Sequence, residues 1–167
     1  MMAIGMVLGV IMIMLGEATV LYTFYAPLEA HPLFYIALAL IIVGTYFGSF
    51  AIIRQYNLWR RENKGKTSPL LAFMAVATLV LWLIATIGVV ATVVLQFIPW
   101  SFGWVDEINI ALSRTLFWYF GHPLVYFWLL PAYMAWYVMV PKIIGGKIFS
   151  DSLARLAFLL FIYSQSR

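Results

Sequence analysis

Leu70–Ile98 reads LLAFMAVATLVLWLIATIGVVATVVLQFI, and no ionisable side chain occurs between Pro69 and Val105. A helix rises about 1.5 Å per residue, so roughly 20 apolar residues cross a hydrocarbon layer about 30 Å thick. This run is long enough to cross. Further apolar segments lie on either side of it, at about 1 to 25, 32 to 53 and 108 to 141, and another opens near Leu153. None alternates polar and apolar residues as a membrane barrel strand does, and an open sheet would leave backbone groups unpaired in lipid. The expected fold is therefore all-α: a polytopic transmembrane helix bundle fragment with about four complete spans and the start of a fifth. The whole of 1–167 reads as one transmembrane domain, truncated at both ends.

Composition agrees. The chain is 65% hydrophobic, 18% aromatic and 10% charged, with a mean hydropathy of +1.00, whereas soluble domains carry roughly a quarter of charged residues. It has no cysteine, which excludes disulfides, zinc knuckles, iron–sulfur clusters and thiol nucleophiles from this stretch. A net charge of +4 could suggest a nucleic-acid partner, but the cations sit in short connectors between apolar runs. Membrane orientation accounts for them without any nucleic acid. Met1 to Met14 lacks the basic start and the cleavage site of a signal peptide.

The connector at 54–68 holds Arg54, Arg60, Arg61, Lys64 and Lys66, and that at 142–152 holds Lys142 and Lys147, with Arg155 just after it. Both are expected on the cytoplasmic side. Glu29 and His31 in one alternate connector, and Asp106 and Glu107 in the other, then face outward, His31 as a solvated residue. Pro27, Pro32, Pro69 and Pro99 fall at segment edges, where proline is tolerated. Tyr56, Trp59, Trp100 and Trp104 suit interfacial aromatic belts.

Ionisable groups inside spans are the candidates for chemistry, because burying them in hydrocarbon is costly. They are Glu17, Arg114, His122 and a set of tyrosines. His122 and Tyr126 are one helical turn apart on one face. Advancing about 100° per residue puts Tyr126, Tyr133 and Tyr137 within roughly 60° of His122, a polar stripe about 22 Å long. Such a stripe serves either to line up hydroxyls for proton movement or to pack helices. Pro123 and Pro131 remove backbone donors to Tyr119 and Phe127 and open the helix beside the pair. A single histidine cannot hold a metal, so a metal reading needs partners beyond this chain.

Phe117-Trp118-Tyr119-Phe120-Gly121-His122-Pro123-Leu124-Val125-Tyr126-Phe127-Trp128-Leu129-Leu130-Pro131 resembles the His-Pro-x-Val-Tyr helix of haem-copper oxidase subunit I. Where A-type members carry glutamate to end a proton channel, this chain has Leu124. That departure moves the resemblance to the B-type branch, that of the ba-type cytochrome c oxidases. Thr19–Tyr25, Gly145-Gly146-Lys147 and Ala154–Phe161 also read like B-type segments.

The resemblance implies that His122 ligates copper B. It further implies that Tyr126 is joined covalently to the His122 ring and supplies a proton and an electron to oxygen. By the same likeness Tyr133, Tyr137 and Ser150 belong to a proton pathway, and Trp118 and Leu124 lie on the oxygen-access side. Two more copper histidines are expected beyond Tyr163, and the ligands of haem b and of an a-type haem in spans before Met1 and beyond Arg167, so no haem ligand is expected in this chain. Arg114 is read as meeting a haem propionate or as snorkelling to the interface. Glu17 has no family counterpart.

The implied function is that of the catalytic subunit of a prokaryotic cell-membrane terminal oxidase. It would work beside a copper A subunit, take electrons from cytochrome c, reduce dioxygen to water and translocate protons. The isolated chain is expected to be inactive. A nitric oxide reductase of the same fold is the alternative within the family, against which Tyr126 argues. A transporter or non-catalytic membrane bundle, whose aromatic stripe only packs, is the alternative outside it.

Overall fold

In lipid a helix satisfies its backbone groups within its own segment, so each long apolar run is one helix. A computed structural model of the chain describes residues 1–21, 23–24 and 26–164. Tyr22 and Tyr25 of the Thr19–Tyr25 segment, and the closing Gln165-Ser166-Arg167, lie outside them. The helices are α1 (Met2–Met14), α2 (Pro32–Glu62), α3 (Leu70–Thr92), α4 (Ile98–Ser101), α5 (Ile110–Ile144) and α6 (Asp151–Ser164). A π-helical turn, Val93–Phe97, joins α3 to α4, so that Leu70–Ser101 runs as one rod. No strand occurs among the described residues.

Three of these rods, Pro32–Glu62, Leu70–Ser101 and Ile110–Ile144, are long and apolar enough to cross a membrane. Within the apolar segment at 1–25, α1 covers Met2–Met14 as a shorter apolar helix. α1 stops at Met14 because Gly16 turns into the left-handed region at φ 79. The Gly16 N–H then donates to the Ile13 carbonyl (3.1 Å) and the Glu17 N–H to the Met12 carbonyl (3.0 Å), a paired closure of the last turn. Among the described residues three helices have the length and apolarity to cross, beside the shorter apolar α1. Glu17 consequently lies outside a helix, its carbonyl accepting the His31 N–H at 2.9 Å.

Other boundaries move outward. α2 continues past residue 53 through its basic end to Glu62, since arginine is a good helix former and cations suit a helix C-terminus. α5 continues to Ile144, where Gly145 at φ 68 ends it and the Gly146 N–H closes onto the Pro141 carbonyl (2.9 Å). Prolines 123, 131 and 141 are all carried inside α5.

The chain forms two compact units. The first comprises Met1–Gly48 and Thr86–Gly121. Its core gathers Met12, Val20, Phe34, Tyr35, Ile42, Val89, Val93 and Phe97. Tyr35 is fully buried and its hydroxyl accepts the Ala30 N–H at 3.1 Å, while Phe24 meets Phe117 edge to face at 5.2 Å. The Tyr46 hydroxyl donates to Thr86 Oγ at 2.8 Å. The backbones of α3 and α5 approach closely here: a Cβ on Gly88 would lie 2.5 Å from the Leu116 carbonyl oxygen, and small residues permit such approach between apolar helices.

The second unit comprises Ser49–Ala85 and the chain from His122 onward. Its core is Met74, Ala77, Leu81, Leu130, Ala154 and Phe158. Trp82 packs on Phe127 at 4.4 Å between ring centres, and the Thr78 hydroxyl donates to Met134 Sδ at 3.7 Å. Both contacts tie α3 to α5.

Candidate functional site

His122 and Tyr126 sit in the second unit on one turn of α5. His122 Nε2 and the Tyr126 hydroxyl are 3.1 Å apart, and their rings meet edge to face with centres 4.9 Å apart. The one-turn spacing in sequence is thus realised as a direct contact. Because Nε2 is engaged by the tyrosine, Nδ1 is the nitrogen left for a metal. His122 is exposed and can accept further partners. Among the described residues no three side chains of the types that bind metals come together. The chemistry of the donor set therefore fits a copper ion in part: one imidazole with a phenol beside it.

The two prolines act where sequence placed them. Pro123 and Pro131 lie inside a continuous helix, so the carbonyls one turn above each lose their usual backbone donor. These positions bracket Tyr126. The three tyrosines share a face: Tyr126, Tyr133 and Tyr137 all pack, half-buried, against the cluster around Phe158. Phe161 of α6 lies 5.7 Å from the Tyr126 ring and stacks on Tyr133 at 6.3 Å. Proton relay and packing are therefore compatible on this stripe: the rings bury their faces against α6, and burial of a ring does not consume its hydroxyl.

Ser150 is at the start of α6, where its Oγ accepts the Leu153 N–H at 3.3 Å, the position of an N-cap. Leu124 is half-buried in the second unit. Trp118 belongs to the first unit and is 49% exposed, with its ring edge to face on Phe117 at 5.6 Å. Arg114, on the first turns of α5, is exposed. His31 is exposed too, and its Nδ1 accepts the Leu33 N–H at 3.2 Å, which caps α2.

Two features escaped the sequence reading. Arg155 reads from the sequence as a connector charge at the head of the Ala154–Phe161 segment, yet its side chain is 17% exposed and paired with Asp151 at 2.5 Å. It also donates to the Ser68 carbonyl at 2.6 Å and to Ser68 Oγ at 3.2 Å, and lies 5.0 Å above the Phe73 ring. The Tyr56 hydroxyl reaches the same Ser68 Oγ at 2.9 Å. The i, i+4 spacing of Asp151 and Arg155 at a helix start was the available signal. The other feature is the π-turn at Val93–Phe97, which hydropathy does not reveal because it lies inside a long run that is apolar apart from Thr92 and Gln96.

Comparison with known proteins agrees with this geometry. The family model described as Cytochrome C and Quinol oxidase polypeptide I matches residues 1–165. The chain is 45% identical over 159 residues to cytochrome c oxidase subunit 1 of Thermus thermophilus, covering 95% of this chain and 28% of that protein. It is 24% identical over 134 residues to quinol oxidase subunit 1 of Sulfolobus acidocaldarius, covering 80% of this chain and 25% of that protein. A solved heme-copper terminal oxidase dimer superposes with a TM-score of 0.93 at 47% identity, covering 97% of this chain and 28% of that one. The chain thus spans about a quarter of the length of the relatives it matches.

Proposed function

The chain belongs to the cytochrome c and quinol oxidase polypeptide I family, a family of haem- and copper-containing membrane oxidoreductases, and from that premise we propose that it forms part of the catalytic subunit of a B-type terminal oxidase. That enzyme would reduce dioxygen to water with electrons from cytochrome c, delivered through a copper A subunit, and would couple the reaction to proton translocation across a prokaryotic cell membrane. The observation that carries this reading is the 3.1 Å contact of His122 Nε2 with the Tyr126 hydroxyl. Identity of 45% to a cytochrome c oxidase subunit supports it, and leucine at position 124 supports the B-type branch.

In this reading His122 would hold copper B through the ring nitrogen that Tyr126 leaves free, and its Nε2 keeps the Tyr126 hydroxyl at 3.1 Å. The copper, together with haem b and an a-type haem held by other parts of the subunit, supplies the redox chemistry. Tyr126 would be the catalytic residue, placed to give a proton and an electron to oxygen; a covalent link of its ring to His122, as in the family it resembles, would form by an oxidation in which oxygen takes the two electrons and two protons released. Tyr133, Tyr137 and Ser150 then lead protons toward Tyr126 from the connector at 142–152, which with 54–68 faces the cytoplasm. Trp118 and Leu124 border the path by which oxygen enters. The described chain is one transmembrane domain's share of this subunit, and other helices carry the remaining ligands.

Substituting His122→Ala in the intact complex tests this. Metal analysis is expected to show one copper lost per complex while the haem spectrum persists and oxygen uptake stops. Full copper content with normal turnover would sink the assignment. Nitric oxide reduction is the second reading, and faster turnover of nitric oxide than of oxygen by the same preparation would favour it. A purified complex with neither haem absorption nor copper would instead favour the non-catalytic transporter or bundle.

A further inference from the structure

At the basic end of α2, Asn57, Arg60, Arg61 and Lys64 line a surface concavity of about 350 Å³. Asn57, Arg60 and Arg61, spaced i, i+3, i+4, share one stripe of the helix, and Lys64 joins them from the turn just past its end at Glu62. Glu62 projects from a different face, roughly 150° from the centre of that stripe at 100° per residue. Among the described residues none of the three cations has a carboxylate within salt-bridge distance. Lys66 is outside the concavity, its Nζ donating to Asn63 Oδ1 at 3.4 Å.

Charge at the end of a crossing helix is ordinarily explained by membrane orientation. Orientation needs only the number of cations, and it does not require three of them to converge with an amide on one hollow. The same stripe continues toward the membrane centre through half-buried Ile53 and through Phe50, which is 58% exposed. A hollow of cations therefore opens directly below an apolar track on one helix face. Tyr56 and Trp59 lie on other faces of α2 and line a separate hollow with Pro69 and Ala72.

We propose that this concavity binds the headgroup of an anionic phospholipid, with Arg60, Arg61 and Lys64 on its phosphate, Asn57 donating to a headgroup oxygen, and an acyl chain lying along Ile53 and Phe50. Arginine guanidinium groups suit phosphate oxygens in a fork, and lysine adds a point charge. The apolar track is what selects a lipid over free phosphate. The site depends on the membrane placement of α2 and not on the copper chemistry, so it stands or falls separately from the proposed activity.

The intact oxidase, reconstituted in nanodiscs of phosphatidylcholine with limiting phosphatidylglycerol, supplies the test by native mass spectrometry of retained lipid. The triple variant R60Q/R61Q/K64Q is expected to hold phosphatidylglycerol roughly 100-fold more weakly, since each cation near an anionic surface contributes about fivefold. A control of equal charge, K66Q/K142Q/K147Q, is expected to lose far less. An unchanged haem spectrum in both variants establishes that they fold. Equal losses in the two variants, or no loss in the first, would overturn the site. Displacement of the lipid by millimolar inorganic phosphate would overturn the lipid as its occupant.

Discussion

A phenol and an imidazole 3.1 Å apart divide their work by atom. His122 Nε2 holds the tyrosine and Nδ1 remains for a ligand, so the two substitutions at this turn should separate. Tyr126→Phe keeps the ring that packs near Phe161 and removes only the hydroxyl. Oxygen turnover is expected to fall by about 100-fold or more, the scale of losing a positioned proton donor, while copper content stays intact. Tyr133→Phe removes a hydroxyl one step further along the stripe and leaves its stack on Phe161. Its expected effect is slower turnover with the low-turnover chemistry of the site retained, seen as a reduced steady-state rate against an unchanged single-turnover oxygen reaction. If Tyr133→Phe matched wild type in the steady state, the stripe would be packing alone. Sequence made His122 and Tyr126 visible because polar residues inside an apolar helix stand out, and one-turn spacing fixes their meeting. It could not reveal which ring nitrogen faces the hydroxyl, which depends on side-chain torsions.

Elements are held by contacts of a different kind. The Arg155 guanidinium bonds Asp151 within α6 and the Ser68 carbonyl just ahead of α3, so it pins the start of one helix to the start of another. Arg155→Met keeps much of the apolar stem over Phe73 and removes the charge. A loss of about 2 kcal/mol in unfolding free energy is expected for such a charged hydrogen-bonding group, measured by chemical denaturation of the solubilised complex. Gly88 governs a second junction, and a valine there would drive its Cβ against the Leu116 carbonyl and the Tyr119 ring. Overpacking of this sort costs roughly 1–3 kcal/mol, and the expected readout is a lower thermal midpoint with reduced haem incorporation. Helix identity was readable from apolar length because lipid leaves the backbone no other choice. Ends were less so. Leu15 and Gly16 continue the apolar run and Val20-Leu21 resume it beyond Glu17, while the left-handed turn at Gly16 with its two closing hydrogen bonds stops α1 there. Ser150, read as a proton-pathway residue, also caps α6, and a serine before an acidic residue and an apolar run carried that signal.

At the scale of the whole molecule, charge is distributed unevenly among the connectors that join three rods long and apolar enough to cross a membrane. Cations at 54–68 and 142–152, alternating with acids at Glu29 before the first and at Asp106 and Glu107 between the two, give alternate connectors opposite sign. One rod separates adjacent connectors in this pattern: α2 lies between Glu29 and Lys64, Leu70–Ser101 between Lys64 and Asp106, and α5 between Glu107 and Lys147. Rods that each cross the membrane put adjacent connectors on opposite sides, and the positive-inside rule then predicts the basic connectors inward. The described chain has no cysteine of its own, so single substitutions report topology directly. In intact cells a membrane-impermeant maleimide is expected to label Glu29→Cys and Asp106→Cys above the parent background, and to leave Lys64→Cys and Lys147→Cys unlabelled until the membrane is opened. Labelling of Lys147→Cys in intact cells would reverse α5 and with it the direction in which Tyr137 leads to Tyr126. Protons would then have to come from the outer side, and the stripe could no longer serve uptake from the cytoplasm even if the copper site beside Tyr126 were intact.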